Sequence, residues 1–580
     1  MAIRRGVALV LTLILVAIVV SLGAVALVVA VVGREPGVPS NSTLVLRIGS
    51  ELAEAEPGDV FSQFIEYPPT LRSVVDSLRK AKVDRRVAGV VLVPTGGSGL
   101  WGKVQELREA VLDFKSSRKP IVGYLEYGGE QEYYLASACD KVFLMPASPL
   151  DLSGLATYEV FFRGALDKIG AYPDMLHIGD YKTAANTFTE RTYTAAHREM
   201  AESLTTDLYE QLIRGIAEGR RKTPAEVRAV IDRGPLLPEE AVRLGLVDDL
   251  AYEDQIDDKV NFGGQRMRRL DAADYRRVSP SSLGLERGPK IAVIYAEGTI
   301  VSGRSSSDVG NQVVGSDTLV DYIRKARADR SIRAIVLRVD SPGGSAIASD
   351  VVWRELMISR PSKPIVSSMS DLAASGGYYI AMPAHAIVAQ PGTLTGSIGV
   401  VMGKFAISGT LDKLGLNMEA VSRGTYAQIY SPDRPFTPEE RIKVEEQMQA
   451  TYDLFVEKAA QARNTTPEKI DAIGQGRVWT GRQAKQLGLV DELGGLHRAL
   501  AVAKQRAGID PRTEVQLVVF PPRRTLYELV SEPFAQSAPG AALLSLVSPA
   551  ERRAMLQLTA PLRLFRSGEP LALMPNVFVR

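Results

Sequence analysis

The stretch from Ile365 to Pro383 has the composition expected around a nucleophilic serine. Ile365-Val366 reads as the end of a buried strand, and Ser375 then follows two alanines and precedes Gly376, Gly377 and an apolar segment. Glycines let a substrate backbone approach closely, and a helix N-terminus here would present free N–H groups to a developing oxyanion. A tight turn around a buried serine explains the same residues, so the rest of the chain must decide.

The soluble part of the sequence is duplicated. Five motifs recur at nearly one offset, 243 to 245 residues, which chance does not explain. The pairs are Arg79-Lys80-Ala81 with Arg324-Lys325-Ala326, Val90-Val91-Leu92 with Ile335-Val336-Leu337, Lys119-Pro120-Ile121-Val122 with Lys363-Pro364-Ile365-Val366, Asp167-Lys168-Ile169-Gly170 with Asp412-Lys413-Leu414-Gly415, and Leu244-Gly245-Leu246-Val247-Asp248 with Leu487-Gly488-Leu489-Val490-Asp491. The offset indicates a tandem domain of about 240 residues rather than a short solenoid repeat.

The two copies have lost different residues. Ser375 corresponds to Glu130 in the first copy, whereas Lys182 corresponds to Ala427 in the second. The second copy also carries Val339-Asp340-Ser341-Pro342-Gly343-Gly344 directly after a predicted strand, where the first copy has a different glycine-rich stretch, Val93-Pro94-Thr95-Gly96-Gly97-Ser98-Gly99. Complementary loss fits one composite site that takes a serine from one half and a lysine from the other. Neutral drift of surface positions is the alternative explanation.

These motifs together resemble the signal peptide peptidase A family, also called protease IV, in its long, duplicated bacterial form (peptidase family S49). The resemblance covers nearly the whole chain to about residue 500. It rests on four stretches that are specific in combination, Asp340-Ser341-Pro342-Gly343-Gly344, Ala374-Ser375-Gly376-Gly377-Tyr378, Thr395-Gly396-Ser397-Ile398-Gly399 and Tyr181-Lys182. The family is distantly similar to the Clp protease and crotonase fold.

The resemblance implies a role for each site residue. It makes Ser375 the nucleophile, Lys182 the general base and Ser397 a residue that orients the lysine. Backbone N–H groups of Gly376 and of the Gly343-Gly344 pair are the expected oxyanion donors. The resemblance also implies cleaved signal peptides and other hydrophobic peptides as substrates, and a homotetramer as the assembly.

A serine–lysine dyad requires a neutral amine within hydrogen-bond reach of the hydroxyl. Because free lysine has a pKa of about 10.4, the site must be dry and free of carboxylates, and we expect Asp180 to point away. His385, ten residues after Ser375, is the alternative base; it should lie at the far end of the following helix or in the turn beyond. No metal or nucleotide motif stands out, so no cofactor and no metal are expected.

The N-terminal run from Val7 to Val32 contains no charge and follows Arg4 and Arg5. Its 26 residues can span a bilayer, and the preceding arginines keep the N-terminus cytoplasmic. A cleavable signal peptide is the alternative. We expect a single-pass protein of the bacterial inner membrane whose catalytic body is periplasmic. The nearly balanced charge, 69 basic against 67 acidic residues, gives no support for nucleic acid binding.

Alternating strand and helix patterns predict an α/β fold of two tandem Clp protease/crotonase-like domains, built from βαβ units and preceded by one transmembrane helix. In the second copy, strands are predicted at 290–295 and 334–339 and helices at 318–327 and 349–358. The predicted boundaries are a cytoplasmic stub and anchor (1–33), a linker (34–45), a lysine-bearing repeat (46–285), a serine-bearing repeat (286–520) and a C-terminal tail that could form an interface (521–580).

The predicted activity is that of a membrane-anchored serine endopeptidase. Two other functions remain open at this point. A crotonase-like acyl-transfer enzyme would also stabilise an oxyanion with glycine-loop N–H groups, although an extracytoplasmic location argues against CoA substrates. A non-catalytic membrane scaffold would keep the fold, although retention of both Ser375 and Lys182 argues against it.

Overall fold

The computed structural model describes residues 36–49, 52–54, 69–96, 99–260, 268–308, 311–522, 569–574 and 578–579, together with positions 16, 20 and 23. The predicted anchor at 7–32 lies outside the described residues apart from those three positions, and so does most of the tail at 521–580. No helix in the described part of the chain combines the length and apolar character that a membrane span requires.

The first repeat alternates strands with helices from residue 42 to residue 276. Its strands are β1 (Ser42–Gly49), β2 (Val87–Thr95), β3 (Ile121–Leu125), β4 (Lys141–Leu144), β5 (Thr157–Tyr158), β6 (Tyr172–Ile178), β7 (Asp249–Leu250) and β8 (Arg268–Asp271). Its helices are α1 (Leu71–Val83), α2 (Trp101–Lys115), α3 (Glu130–Ala136), α4 (Arg163–Ile169), α5 (Asn186–Thr189), α6 (Ala195–Arg220), α7 (Pro224–Ile231), α8 (Pro238–Arg243), α9 (Ile256–Lys259) and α10 (Ala272–Arg276).

The second repeat has the same character. Its strands are β9 (Lys290–Glu297), β10 (Thr299–Val301), β11 (Ser306–Asp308), β12 (Asn311–Gly315), β13 (Ile332–Ser341), β14 (Gly343–Ser345), β15 (Ile365–Ala374), β16 (Ala386–Ala389), β17 (Leu394–Gly396), β18 (Val400–Ala406), β19 (Val478–Thr480), β20 (Glu492–Leu493) and β21 (Gln516–Phe520). Its helices are α11 (Ser316–Ala328), α12 (Ala346–Ser359), α13 (Gly376–Ala381), α14 (Ser408–Lys413), α15 (Pro438–Ala462), α16 (Pro467–Ile473), α17 (Gly481–Gln486) and α18 (Leu496–Arg506). Two strands follow near the C-terminus, β22 (Leu571–Leu573) and β23 (Phe578–Val579).

Both repeats contain the same parallel sheet. In the first repeat its order is β7-β4-β3-β2-β1-β8, and in the second β20-β16-β15-β13-β9-β21. Every neighbouring pair along these two paths is parallel. Parallel strands need helical crossovers on the sheet faces, which explains the alternation in the sequence. The matching order agrees with a tandem duplication.

One strand is longer than the sequence suggested. The predicted elements at 290–295, 318–327, 334–339 and 349–358 are all present, with ends shifted by at most three residues. The prediction that the strand before Ser375 ends near Val366 is wrong, because β15 continues to Ala374. Its polar residues stay in the sheet because they have buried partners: Ser368 and Ser370 accept hydrogen bonds from Arg338, and Asp371 accepts one from the Lys103 backbone N–H.

A buried ion cluster joins the two repeats. Arg338 on β13 is 1% exposed; its Nε lies 2.7 Å from Glu54 Oε2 and its Nη2 lies 2.8 Å from Glu106 Oε2, both in the first repeat. Nearby, α2 packs directly on β15, and a Cβ added to Gly102 would lie 2.7 Å from the Ser370 carbonyl oxygen. Only a glycine permits this close approach. The cluster and the helix contact fix α2 against the strand that leads to Ser375.

A third sheet combines strands of both repeats and the tail. Its order is β11-β12-β10-β14-β22-β18-β6. In it, β6 of the first repeat runs antiparallel to β18 of the second, with Ile178 opposite Val400. The tail strand β22 lies between β14 and β18. Because β6 pairs with β18, the residues that follow β6 in the first repeat lie against the second repeat.

We expect Glu106→Ala to lower the free energy of unfolding by about 3–5 kcal/mol, because removing one partner leaves part of a buried charge uncompensated. Denaturant unfolding would measure this loss. Glu446→Ala is the matched control, since Glu446 pairs with Lys443 on an exposed surface and such pairs contribute about 0–1 kcal/mol. Equal, small losses in both variants would contradict the role assigned to the cluster.

Candidate active site

Ser375 occupies a strained turn between β15 and α13. Its φ is 56° and its ψ is −112°, and a positive φ is uncommon for a residue with a side chain. The Ser375 N–H donates to the Gly396 carbonyl over 2.7 Å, which holds the turn. The side chain is fully buried. Strain of this kind clusters at functional sites, and here it directs the hydroxyl toward residues that the first repeat supplies.

Lys182 reaches the serine because β6 pairs with β18. The lysine lies four residues after Ile178 and begins a 3₁₀ turn, Thr183–Ala185. The Tyr181 N–H donates to the Gln475 carbonyl over 2.8 Å, which ties this loop to the second repeat. Lys182 is fully buried. The pairing of β6 with β18 therefore places the Lys182 amine of the first repeat in the interior of the second repeat, beside Ser375.

The amine of Lys182 has three polar neighbours. Nζ lies 2.8 Å from Ser375 Oγ, 3.0 Å from Ser397 Oγ and 2.8 Å from the Ser397 carbonyl oxygen. A neutral amine has two N–H donors and one lone pair. The N–H groups can donate to the two Ser397 oxygens, which leaves the lone pair to accept the Ser375 O–H. The geometry thus suits a neutral amine that can take the hydroxyl proton.

Burial lowers the pKa of the Lys182 amine well below its usual range. Removing an ammonium group from water disfavours the charged form. Asp180, two residues away, is exposed, as expected from the sequence, whereas the amine is enclosed. Desolvation thus acts on the amine without a carboxylate to oppose it.

Two glycines that the sequence reasoning did not single out enclose the lysine. A Cβ on Gly476 would lie 2.5 Å from the Lys182 backbone, and one on Gly399 would lie 3.0 Å from Lys182 Cδ. Gly476 also has a φ of 76°, and its N–H donates to the Ile398 carbonyl over 2.7 Å. Gly399 belongs to the Thr395–Gly399 stretch used above, but only the folded chain reveals its contact. Larger residues here would displace the lysine stem.

The expected oxyanion glycines lie together beside Ser375. A Cβ on Gly376 would lie 3.1 Å from the Gly344 nitrogen and 3.2 Å from the Gly343 Cα. Gly343 and Gly344 have φ values of 105° and 150°, which favour glycine. The Gly343 N–H already donates to the Ser341 hydroxyl over 3.2 Å. The arrangement therefore brings the three glycines together, with the Gly343 N–H directed toward the Ser341 hydroxyl.

Neither histidine near the motifs in sequence lies beside Ser375. His385 Nδ1 accepts the Ile365 N–H over 3.0 Å, at the start of the ten-residue strand β15 whose other end leads to Ser375. His177 is exposed, and its Nδ1 lies 2.9 Å from the Gly179 carbonyl oxygen. No group of three or more His, Cys, Asp or Glu residues with metal-binding geometry occurs among the residues that the structure describes.

Comparisons with known proteins agree with the duplicated organisation. A profile described as peptidase family S49 matches residues 113–262 and 358–510, once in each repeat. The chain is 38% identical over 456 residues to serine protease SPPA, chloroplastic, of Arabidopsis thaliana, covering 77% of this chain and 67% of the relative. It is 35% identical over 454 residues to protease 4 of Salmonella typhi, covering 76% and 72%.

A solved structure, a ClpP1 mutant from Listeria monocytogenes, matches 37% of this chain and 94% of its own at a TM-score of 0.24 and 13% identity. Similarity this low supports no conclusion about the fold.

The depressed pKa of Lys182 predicts a pH-dependent stability. Between that pKa and about 10.5 the unfolded chain binds a proton that the folded chain does not, so stability rises with pH. Lys182→Met lacks this dependence. We expect the free energy of unfolding of the wild type to gain on the variant by up to about 1.4 kcal/mol per pH unit in this window.

Denaturant unfolding at several pH values would test this, with Lys325→Met as the control at an exposed lysine. A constant difference between wild type and Lys182→Met would mean that the buried amine does not titrate as proposed.

Proposed function

Because this chain belongs to peptidase family S49 and is a serine protease, we propose that it is a membrane-anchored endopeptidase that degrades hydrophobic peptides, such as cleaved signal peptides, with Ser375 as the nucleophile and Lys182 as the general base. The observation that carries this proposal is the 2.8 Å contact between Lys182 Nζ and Ser375 Oγ in a fully buried setting. An ammonium ion would be unstable there, whereas a neutral amine is a competent base.

The reaction follows from the contacts. Lys182 removes the Ser375 proton as Oγ attacks the peptide carbonyl, and the tetrahedral oxyanion accepts hydrogen bonds from the Gly344 and Gly376 N–H groups. The amine then returns the proton to the leaving nitrogen, which forms an acyl-enzyme. Water, activated by the same amine, releases the acyl group. Ser397 holds the amine toward Ser375 through its hydroxyl and its carbonyl oxygen.

Apolar side chains next to the dyad support a preference for hydrophobic peptides. Ala184 and Ala185, directly after the lysine loop, pack with Val401 of β18, and Met175 borders them. Apolar surface of this kind favours apolar substrate side chains because contact removes both from water. The parallel sheet in each repeat supports the Clp protease/crotonase-like fold as the scaffold. The uncharged run at 7–32 supports a single-pass anchor in the inner membrane, with the catalytic body periplasmic.

Exposed apolar residues support the homotetramer. Residues 412–427 are exposed throughout, and Leu416 and Val421 are 52% and 93% exposed. The duplication indicates which strand this exposed segment would pair with. At an offset of 245, residues 417–423 of the second repeat correspond to β6 of the first, and β6 pairs with β18 inside the chain. The residues of the first repeat that correspond to β18 are 155–161, which contain β5. Among the described residues β5 pairs with β23 alone, so its other edge could accept residues 417–423 of a neighbouring copy. A head-to-tail contact of this kind forms a ring when the rotation between successive copies closes on itself, as the proposed homotetramer requires.

We expect Ser375→Ala and Lys182→Met each to lower kcat/KM on a hydrophobic fluorogenic peptide by at least about 10³-fold, because nucleophile and base act as one unit. His385→Ala should retain activity to within about threefold. Ser397→Ala should lower kcat and displace the pH profile, since it acts through the amine.

Purified full-length enzyme in detergent would be assayed across pH. Loss of activity in His385→Ala while the protein stays folded would refute the dyad, and full activity in Lys182→Met would do the same. A wild type inactive on a range of such peptides would favour the scaffold function.

We expect the double variant Leu416→Asp, Val421→Asp to dissociate the oligomer, because two charges would oppose burial of the 412–427 segment. Analytical ultracentrifugation in detergent measures the mass. Ile442→Asp on α15 is the control, an exposed apolar residue outside that segment. The proposed contact is wrong if the double variant sediments like the wild type.

A further inference from the structure

The C-terminal strand β22 lies between β14, which carries the oxyanion glycines Gly343 and Gly344, and β18. It runs antiparallel to β14, with Leu571 opposite Ser345, Ala572 opposite Gly344 and Leu573 opposite Gly343. Hydrogen bonds close both ends of the ladder: the Ala346 N–H donates to the Pro570 carbonyl over 3.2 Å, and the Met574 N–H to the Pro342 carbonyl over 3.0 Å. On its other edge Leu571 pairs with Val401 of β18. The segment thus has backbone partners on both sides.

The backbone of this strand lies against the oxyanion glycines. A Cβ placed on Gly343 would be 2.0 Å from the Ala572 carbonyl oxygen and 2.8 Å from the Gly376 nitrogen. The Ala572 carbonyl oxygen and the Gly376 nitrogen therefore both lie close to Gly343. The Ala572 carbonyl thus lies beside the glycines that we expect to bind the oxyanion.

The side chains of the strand fill the apolar surface next to the dyad. Leu571 and Leu573, two residues apart and hence on one face, pack with Ala184, Ala185 and Val401. Met574 packs with Ala374, the residue before Ser375. All three side chains are 4–6% exposed. The surface that supports a preference for hydrophobic substrates is thus already covered.

We propose that segment Pro570–Met574 occupies the peptide groove as a substrate-like strand, and that peptides enter only by displacing it. This inference rests on the proposed function. Strand addition supplies main-chain hydrogen bonds together with pockets for alternate side chains, and the segment makes both. It extends the proposed function by giving the direction of a bound peptide, antiparallel to Gly343–Ser345, and the positions of its apolar side chains.

The segment belongs to the same chain as the strands that it pairs with. It therefore competes with a free peptide as an intramolecular ligand, which raises the apparent KM without changing the chemical step. The interaction spans few residues, which lets a longer apolar peptide at sufficient concentration replace it.

Two variants test the occupancy. Ala572→Pro removes a backbone donor from the strand opposite Gly344, and Leu573→Asp puts a charge against Ala184 and Ala185. The matched control is Phe578→Pro, which makes the same change in β23, the tail strand that pairs with β5. We expect both groove variants to lower the KM for a hydrophobic fluorogenic peptide at least fivefold at unchanged kcat, and the control to stay within twofold of wild type.

Amide hydrogen exchange at Gly344–Ala346 measures occupancy without catalysis. In full-length protein we expect Ala572→Pro and Leu573→Asp to lose protection there, and the free peptide Glu-Pro-Leu-Ala-Leu-Met at millimolar concentration to restore it. Equal KM values and equal protection in all variants would overturn the proposal. If no variant hydrolyses peptide, the proposed function fails, and the exchange experiment still decides whether the strand occupies the groove.

Discussion

A lysine amine enclosed without a counter-ion is the constraint on which the site depends. Every unit by which its pKa falls costs about 1.36 kcal/mol in the folded state, and the surrounding packing must supply that energy. Gly399 and Gly476 close around the stem, and Ser397 receives the two N–H groups. Without this enclosure, water would stabilise the protonated form of the amine, and a protonated amine cannot accept the serine proton.

Each repeat contributes one part of the enclosed site. The first gives the lysine but has glutamate where the second has its serine, and neither holds both groups. Antiparallel pairing of β6 with β18 fixes the lysine loop on one side, while the ion cluster around Arg338 fixes α2 against β15 on the other. A shift of the β6–β18 register by one residue would move the lysine loop by about 3.3 Å along β18, enough to break the 2.8 Å contact between Nζ and Oγ.

The sequence alone singles out Ser375 and Lys182, because the duplication allows one half of the chain to be compared with the other, and the structure brings these two side chains to 2.8 Å. Their roles as nucleophile and base are what the resemblance implies and what we propose. The sequence could also predict the alternating strands and helices, whose patterns are local. It could not predict the contact of Gly476 with Lys182, since nothing in the Gly474–Gly476 stretch reveals a neighbour almost 300 residues away. The length of β15 could not be predicted, because serine and aspartate are typical of turns. Only the structure shows that buried hydrogen-bond partners keep these residues in the strand. The position of β22 could not be predicted, because a run of three apolar residues does not indicate which strands it will pair with.

The hydrogen bond between Lys182 and Ser375 spans 193 residues, and that separation has a consequence for biosynthesis. A ribosome adds about 5–20 residues per second, so the lysine precedes the serine by roughly 10–40 s. The first repeat is complete before Ser375, the proposed nucleophile, has been added. Under the proposed function, a chain that is still being synthesised cannot yet cleave other unfolded polypeptides, and proteolytic activity begins only when the second half has been made and has folded onto the first.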